Sequence, residues 1–369
     1  MKIMITGAKG FIGQNLIAEL NNQGYQDLLL VDRDTPSSDL EKYSSQAEFI
    51  FHLAGVNRPE KVEEFTEGNV DFTQQLLTLL RKEKNKAPIV VSSSIQAELD
   101  NPYGTSKRAG EDVVFEYGET DDVKVMVYRF PNVFGKWCRP NYNSAIATFC
   151  NNIATGLDIT VNDPEVILNL VYIDDVVKEL IRALKSNEFN TGKFCEVPVT
   201  YKQKLGWVAD TIKSFKESRI NRYIPDMDDE LTKKLYSTYL SYLATDDFSY
   251  DLKMNVDERG SFTEFIKSKN AGQVSVNISK PGITKGQHWH HTKNEKFLVV
   301  SGEGIIRFRK VGSDEIIEYP VTSQKLEVVD IPVGYTHNIE NTGSEDMVTV
   351  MWVNEVFDPE NPDTYYLEV

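Results

Sequence analysis

The sequence has 369 residues, and at roughly 150 residues per domain this length predicts two domains. Lys and Arg number 40 against 56 Asp and Glu, so the formal net charge of −16 argues against nucleic acid or an anionic membrane surface as a partner. Cys138, Cys150 and Cys195 lie far apart without a C-x-x-C spacing, and the N-terminus has no apolar segment of signal-peptide length. These features argue against a disulfide framework and predict a cytoplasmic protein.

The first part of the chain alternates short apolar segments with helical ones, which is typical of βαβ units around a parallel sheet. Strands are predicted over residues 2–5, 28–31, 49–53, 89–91 and 125–128, and helices over 69–81 and 106–117. The polar, tyrosine-rich segment 220–250 is predicted to be helical and to complete this domain. The pattern predicts a Rossmann-like, doubly wound α/β domain over residues 1–250.

Beyond about residue 253 the pattern changes to strand-length segments between Gly, Pro and Asn turns. Strands are predicted over residues 273–279, 295–301, 304–309, 325–331 and 347–352. Many short strands without intervening helices predict an all-β barrel or sandwich over residues 251–369.

A glycine-rich turn, G-x-x-G-x-x-G, runs from Gly7 to Gly13 directly after the first predicted strand. Its glycines let the backbone approach a pyrophosphate, whose charge is stabilised by the N–H groups of the following helix. Asp32, at the end of the second predicted strand, is placed to hold ribose hydroxyls. Lys9 and Arg33 would suit a 2′-phosphate, so the turn predicts NADP(H) in preference to NAD.

Tyr103 and Lys107 form a Tyr-x-x-x-Lys spacing that puts both side chains on one helix face. A phenol with a pKa of about 10 is a poor proton donor to a ketone unless a nearby ammonium stabilises the phenolate. A serine run precedes them, and Ser94 or Ser93 could polarise a substrate carbonyl. The pattern predicts nicotinamide-dependent reduction of a carbonyl.

Together these motifs resemble the short-chain dehydrogenase/reductase superfamily, in its extended branch that acts on nucleotide sugars. Other matching segments are His52-Leu53-Ala54-Gly55 and residues 69–73, 128–135 and 172–176. The resemblance implies catalysis by Ser94 (or Ser93), Tyr103 and Lys107 and sugar-nucleotide contact at Asn132. It implies a cofactor site formed by Gly7, Lys9, Gly10, Phe11, Ile12, Gly13, Asp32, Arg33, Leu53, Ala54, Gly55, Tyr103 and Lys107.

The sequence departs from the family pattern in two places, and the second narrows the predicted activity. The stretch 32–49 is short for the usual second helix and third strand, and only eight residues separate Ser94 from Tyr103. Dehydratases of the family place an Asp-Glu pair after the catalytic hydroxyl, whereas Ile95 and Gln96 stand there in this chain. The resemblance therefore implies a reductase or an epimerase rather than a dehydratase.

Four of the five histidines lie in the last quarter of the chain. His288 and His290 alternate on a predicted strand and so point to one side, and Glu295 and His337 can converge from neighbouring strands. Three imidazoles and one carboxylate suit Zn²⁺, or Mn²⁺, Fe²⁺ or Ni²⁺ if the coordination sphere is larger. The spacing predicts a divalent metal site.

These residues resemble the two motifs of the cupin barrel, over residues 282–302 and 332–341. The second motif departs at Leu326, where the family has a glycine that is not a ligand. Residues 257–264 resemble a strand of cupin-class sugar-nucleotide 3,5-epimerases, in which a histidine removes the proton beside a 4-keto group and a tyrosine returns it. The resemblance therefore implies that the second domain is a cupin epimerase.

The epimerase resemblance makes His288 the candidate base and places Lys285 near the oxyanion or the phosphates. A histidine bound to a metal through its free lone pair cannot accept a proton, so His288 is ligand or base, not both. We expect it to be a ligand, and His291, Tyr335 or a metal-activated water to serve as acid or base.

The whole chain resembles bacterial capsular polysaccharide enzymes that join an extended reductase to a cupin. This implies C3 epimerisation of UDP-2-acetamido-2,6-dideoxy-L-arabino-4-hexulose in the cupin domain, then NADPH-dependent C4 reduction to UDP-2-acetamido-2,6-dideoxy-L-talose, on the route to UDP-N-acetyl-L-fucosamine. Cupins often pair, which suggests a homodimer. Two alternatives remain open, a sugar-nucleotide reductase with a structural metal-binding barrel and a non-catalytic NADP(H)-sensing protein.

Overall fold

The computed structural model describes residues 1–59, 61–186 and 192–369, which form two compact units. Unit 1 comprises Met1–Lys213 and Glu230–Ala244, and unit 2 comprises Ser214–Asp229 and Thr245–Val369. Unit 2 thus takes in residues 214–229, part of the segment that the sequence assigns to the first domain. Among the described residues, none of the helices has both the length and the apolar character that crossing a bilayer requires.

Unit 1 is built on a parallel sheet. Its strands are β1 (Ile3–Thr6), β2 (Leu28–Val31), β3 (Phe49–His52), β4 (Ile89–Ser94) and β5 (Val125–Phe130). They lie in the order β2-β1-β3-β4-β5. The short stretch between β2 and β3 forms one helix and no additional strand. The strand order reverses between β1 and β3, and open α/β sheets bind ligands at the carboxyl ends of the strands at such a point.

Helices flank this sheet, and a small second sheet follows it. The helices are α1 (Phe11–Asn22), α2 (Ser37–Gln46), α3 (Glu63–Thr66), α4 (Phe72–Lys82), α5 (Pro102–Asp121), α6 (Ala145–Thr155), α7 (Ile173–Lys185), α8 (Leu205–Asn221) and α9 (Glu230–Leu240). The second sheet contains β6 (Asn132–Phe134), β7 (Ile167–Tyr172) and β8 (Tyr201–Lys204). Alternate residues of β1 enter different cores: Ile3 and Ile5 pack with α1 and α7, and Met4 with α2, α4 and α5.

Most predicted elements of unit 1 are confirmed, although several differ in extent; the helix predicted over 106–117, for example, is α5 and spans Pro102–Asp121. The helix predicted from residue 69 begins as a π-helical turn, Glu67–Asp71, before α4. The helix predicted over 220–250 is confined to Glu230–Leu240. Asn101 caps α5 by accepting a hydrogen bond from the Gly104 N–H, so this helix starts early enough to carry the Tyr-x-x-x-Lys pair in its first turns.

Unit 2 consists mainly of antiparallel strands. They are β9 (Met254–Asp257), β10 (Gly260–Ser268), β11 (Gly272–Ser279), β12 (Thr284–Trp289), β13 (Glu295–Ser301), β14 (Glu303–Lys310), β15 (Ile316–Thr322), β16 (Val328–Ile331), β17 (Tyr335–Asn341), β18 (Met347–Val353) and β19 (Tyr365–Tyr366). They form a six-stranded sheet, β16-β13-β18-β11-β10-β9, and a five-stranded sheet, β15-β14-β17-β12-β19. Apolar residues of both sheets share one core, including Phe297 and Val329 from the first and Phe308 and Ile339 from the second.

Candidate active sites

The glycine-rich turn of unit 1 joins β1 to α1 at the point where the strand order reverses. Gly7 has φ +68°, and a Cβ there would lie 2.8 Å from the Ala54 nitrogen. A Cβ on Gly13 would collide with the Gly7 carbonyl oxygen. Gly10 caps α1 without a side-chain hydrogen bond, so the first N–H groups of the helix remain available to an anion.

Asp32 stands at the end of β2 with its carboxylate held by backbone N–H groups. The amide nitrogens of Lys9 and Arg33 donate to its two oxygens at 2.8 Å each. The Lys9 ammonium pairs with Asp34 at 2.5 Å, whereas the exposed Arg33 guanidinium makes no ion pair or hydrogen bond with the described residues. Arg33 is therefore the more available cation at the predicted ribose position.

Tyr103 and Ser94 meet between the start of α5 and the end of β4. Burial raises the pKa of Tyr103, and a hydrogen bond with Ser94 offsets part of that rise. Ser93 points elsewhere, because neighbouring residues of a strand face opposite sides, and donates to Glu111 at 2.5 Å. This geometry favours Ser94 over Ser93 as the partner of Tyr103.

Lys107 lies one turn beyond Tyr103 in a confined position. Its Nζ donates to the Ser92 carbonyl oxygen at 2.9 Å, and a Cβ on Gly55 would approach that Nζ within 3.4 Å. Burial lowers the pKa of Lys107 to about 8, although the carboxylate of Glu111 acts in the opposite direction. This pKa allows Lys107 to carry its charge near neutral pH.

Glu111 is a buried carboxylate that the sequence interpretation missed. It is 3% exposed, accepts from the Ser93 hydroxyl, and receives two hydrogen bonds from the Arg129 guanidinium at 2.9 and 2.6 Å. It therefore connects α5, which carries Tyr103 and Lys107, with the end of β4 and with β5. Its position four residues after Lys107 is the sequence signal that could have identified it.

A cleft of about 1270 Å³ brings the predicted residues of unit 1 together. Every residue predicted for the cofactor lines it, as do Ser94 and Asn132. The loop after β6 adds Trp137, Arg139 and Tyr142, which the sequence interpretation did not include. A single small-ligand pocket has about 300–1000 Å³, so this cleft can hold a dinucleotide and a second substrate.

Unit 2 brings three histidines and one glutamate together. The potential ligand atoms of His288, His290, Glu295 and His337 all lie within 4.8 Å of one another. His288 is paired with His337 across β12 and β17, directly after a β-bulge in which Gln287 has φ +61°. The bulge sets the direction of the chain as it reaches His288 and His290.

The buried atoms of this cluster fit a cation. Among the described residues, His290 Nε2, Glu295 Oε2 and both ring nitrogens of His337 have no hydrogen-bond partner. His290 Nδ1 lies 2.6 Å from the Asp363 carbonyl oxygen and must donate to it, which leaves the Nε2 lone pair free. Burial lowers the pKa of His288 to about 4, so its imidazole is neutral near pH 7. Such buried groups are costly without a partner, and a divalent metal would satisfy His290 Nε2, Glu295 Oε2 and one ring nitrogen of His337.

A cavity of about 330 Å³ opens beside the cluster and is lined by His288, Glu295 and His337. Lys285 also lines it, and its Nζ donates to Asn277 Oδ1 at 2.9 Å and to the Ile278 carbonyl at 2.8 Å. Asp257 and Arg259 form an ion pair of 2.5 Å on the cavity wall. The cavity therefore combines three residues of the cluster with side chains of both charges.

The structure does not bring two predicted acid–base residues to this cavity. His291 is exposed, with its ring centroid 4.5 Å from that of Trp289 and 5.0 Å from that of Tyr365. Tyr335 packs against the apolar core of unit 2. Neither lines the cavity, because His291 follows the end of β12 and Tyr335 lies at the start of β17. The structure therefore gives no support to their assignment as acid or base at this cavity.

Comparisons with known proteins cover both units. Residues 3–194 match the NAD dependent epimerase/dehydratase family, and residues 255–365 match the polysaccharide biosynthesis C-terminal domain. A UDP-2-acetamido-2,6-beta-L-arabino-hexul-4-ose reductase of Pseudomonas aeruginosa is 44% identical over 369 residues, which are 100% of this chain and 99% of the relative.

Solved structures show the same similarity over the full chain. The capsular polysaccharide assembling protein CapF from Staphylococcus aureus is 58% identical, with a TM-score of 0.94 over 100% of each chain. A UDP-glucuronic acid 4-epimerase from Bacillus cereus, 18% identical with a TM-score of 0.56, shares the fold over 66% of this chain and 98% of its own. The predicted resemblance to capsular polysaccharide enzymes is confirmed. The chain belongs to the NAD dependent epimerase/dehydratase family.

Proposed function

We propose that this chain is a bifunctional nucleotide-sugar enzyme. Residues 251–369, as a cupin domain, epimerise C3 of UDP-2-acetamido-2,6-dideoxy-L-arabino-4-hexulose, and residues 1–250 reduce C4 with NADPH to give UDP-2-acetamido-2,6-dideoxy-L-talose. The observation that carries the proposal is that one chain holds a reductase triad in a dinucleotide-sized cleft and a metal-type cluster beside a second cavity. The product lies on the route to UDP-N-acetyl-L-fucosamine for capsular polysaccharide.

In the reductase site, NADPH when bound supplies the hydride to C4. Tyr103 donates its phenolic proton to the C4 oxygen, so that ketone, hydride and proton together give the alcohol. Ser94 donates a hydrogen bond to the same oxygen and orients it. The Lys107 ammonium stabilises the phenolate that Tyr103 leaves behind, and Asn132 contacts the sugar nucleotide.

NADPH is preferred to NADH because of the charge at the end of β2. The free Arg33 guanidinium is available to a 2′-phosphate, whereas Lys9 is already paired with Asp34. The cofactor site is formed by the residues of the glycine-rich turn, Asp32, Arg33 and the segment Leu53-Ala54-Gly55, all of which line the cleft.

The charge state of Lys107 predicts a pH dependence of the reduction. As pH rises through about 8, Lys107 loses its proton, and kcat/KM for ketone reduction is expected to fall. In Glu111→Gln the nearby negative charge is removed, so the pKa of Lys107 falls further and this decline moves to lower pH by about one unit. The measurement is kcat/KM against pH, followed by NADPH oxidation.

Glu179→Gln is the matched control. Glu179 is also 3% exposed, pairs with Arg182 at 2.7 Å and accepts from the Tyr128 hydroxyl, but it does not line the cleft. Its variant is expected to lose stability without moving the pH profile. A profile that stays in place in Glu111→Gln, or moves equally in both variants, would contradict the assignment.

In the epimerase site, His288, His290, Glu295 and His337 hold a divalent metal, with Zn²⁺ the best match and Mn²⁺, Fe²⁺ or Ni²⁺ the alternatives. The metal when bound stabilises negative charge on the C4 oxygen and so acidifies the proton at C3. Lys285 lies on the same cavity wall and contributes a positive charge for the oxyanion or the phosphates. We assign His288 as a ligand and not as the base.

The order of the two reactions follows from their chemistry, because the ketone that acidifies C3 is removed by reduction. Turnover of the 4-keto substrate with NADPH in deuterated water tests the proposal. We expect NADPH oxidation and one deuterium at C3 of the product. The hydrogen at C4 comes from NADPH and carries no solvent deuterium, so the two steps are distinguished. Substitution of NADH tests the cofactor preference.

A single-activity reductase is the second candidate, favoured by the name of the Pseudomonas relative, which mentions only reduction. It predicts cofactor oxidation without deuterium at C3, and that result would overturn the epimerase assignment. Failure of both readouts with the correct substrate would remove both activities and leave an NADP(H)-sensing protein. We further propose that the enzyme works in the cytoplasm as a homodimer.

A further inference from the structure

Asp363 makes an unusual number of contacts with the segment that follows β12. Its carboxylate accepts hydrogen bonds from three successive N–H groups, those of His291 at 3.0 Å and of Thr292 and Lys293 at 2.9 Å. The Thr292 hydroxyl lies 3.1 Å from the same carboxylate. The backbone carbonyl of Asp363 accepts from His290 Nδ1 at 2.6 Å. One residue thus holds the whole turn between the ligands His290 and Glu295.

The backbone of Asp363 has an unusual conformation, and further hydrogen bonds hold its segment against the turn after β12. Asp363 has φ +37°, a left-handed conformation that residues other than glycine rarely adopt. Lys293, only 5% exposed, reaches back to the same segment and donates to the Pro362 carbonyl at 2.5 Å and to Thr364 Oγ1 at 3.1 Å. Hydrogen bonds therefore join the backbone and the side chains of the two segments, and the Asp363 carbonyl oxygen is held next to His290 Nδ1.

We propose that Asp363 is a positioning residue for the metal centre. Its carboxylate anchors the 291–293 turn, and its carbonyl keeps the proton of His290 on Nδ1, so that the Nε2 lone pair faces the other three ligands. Asp363 itself does not touch the metal. The inference rests on the proposed metal centre and does not depend on the reaction catalysed there.

Zn²⁺ titration of the metal-free full chain, in competition with a chromophoric chelator, tests this inference. In Asp363→Ala the turn loses its anchor, and we expect Zn²⁺ affinity to fall about 10- to 100-fold. Asp363→Asn keeps one acceptor oxygen for the same N–H groups and should be intermediate. Thermal unfolding of each metal-free protein measures stability separately from affinity.

Arg309→Gln is the matched control. Arg309 donates to the carbonyl oxygens of Ser313 and Glu368, so it tethers the same C-terminal segment without reaching a ligand. Its Zn²⁺ affinity should equal that of the unchanged protein. Unchanged affinity in folded Asp363→Ala, or in Asp363→Asn if the alanine variant does not fold, would overturn the inference. Absence of Zn²⁺ binding by the unchanged protein would instead refute the metal centre.

Discussion

Replacing Tyr103 with Phe is expected to lower kcat for NADPH-dependent reduction by about 100- to 10,000-fold, the range typical of losing a positioned general acid. The substitution removes only the phenolic hydroxyl. The cleft keeps its shape, and the contact with Phe65, whose ring centroid lies 5.7 Å away, is preserved. The initial rate of NADPH oxidation with the epimerised 4-keto sugar measures the effect, and KM for NADPH should change little.

Two controls test whether the effect is specific to the Tyr103 hydroxyl and to the reduction step. Tyr117 lies on the same helix, is buried, and donates to the Asn85 carbonyl far from the cleft lining, so Tyr117→Phe should reduce at the unchanged rate. Deuterium exchange at C3 in the absence of NADPH should also be unaffected in Tyr103→Phe, because that reaction is assigned to the other unit. Reduction at a normal rate in Tyr103→Phe would mean that another group supplies the proton.

The residues predicted for the reductase site line one cleft because their sequence signals are local. The glycine turn and the Tyr-x-x-x-Lys pair are contiguous motifs, and each is positioned by one strand–helix connection. The choice between Ser93 and Ser94 could not be made, since it depends on which side of β4 each residue faces. The partners of Glu111 could not be predicted either, because Arg129 donates to it from β5, which is distant in sequence.

In unit 2 the structure brings the four predicted ligands together but does not place the predicted acid–base residues at the cavity beside them. His288, His290, Glu295 and His337 could be grouped because metal ligands require particular side chains at strand spacing. No comparable signal marks Asp363, which meets the turn after His290 only through folding of the distant C-terminal segment. His291 was misplaced because proximity in sequence to a ligand does not fix the direction of a side chain.

Replacing Glu295 with Gln is expected to slow deuterium exchange at C3 by about 1000-fold, since metal stabilisation of the developing charge contributes several kcal/mol. The amide keeps the size of the side chain but removes the negative charge and the anionic oxygen ligand, so the three remaining histidines should hold a divalent cation less tightly. Exchange is measured without NADPH, and bound metal is measured by elemental analysis. Glu340→Gln, which removes a carboxylate paired with Arg307 at 2.5 Å on β17, is the control and should exchange normally.

Thermal unfolding distinguishes loss of the metal from loss of the fold in the Glu295→Gln protein. Glu295 Oε2 is buried 3.3 Å from His337 Nε2 and 3.6 Å from His290 Nε2, and the amide occupies the same space, so the unfolding temperature of the metal-free protein should change little. Added Zn²⁺ should raise the unfolding temperature of the unchanged protein, because it binds the folded state more tightly than the unfolded chain, and should raise that of Glu295→Gln less. Exchange at the normal rate in a metal-free Glu295→Gln protein would show that the cluster takes no part in epimerisation.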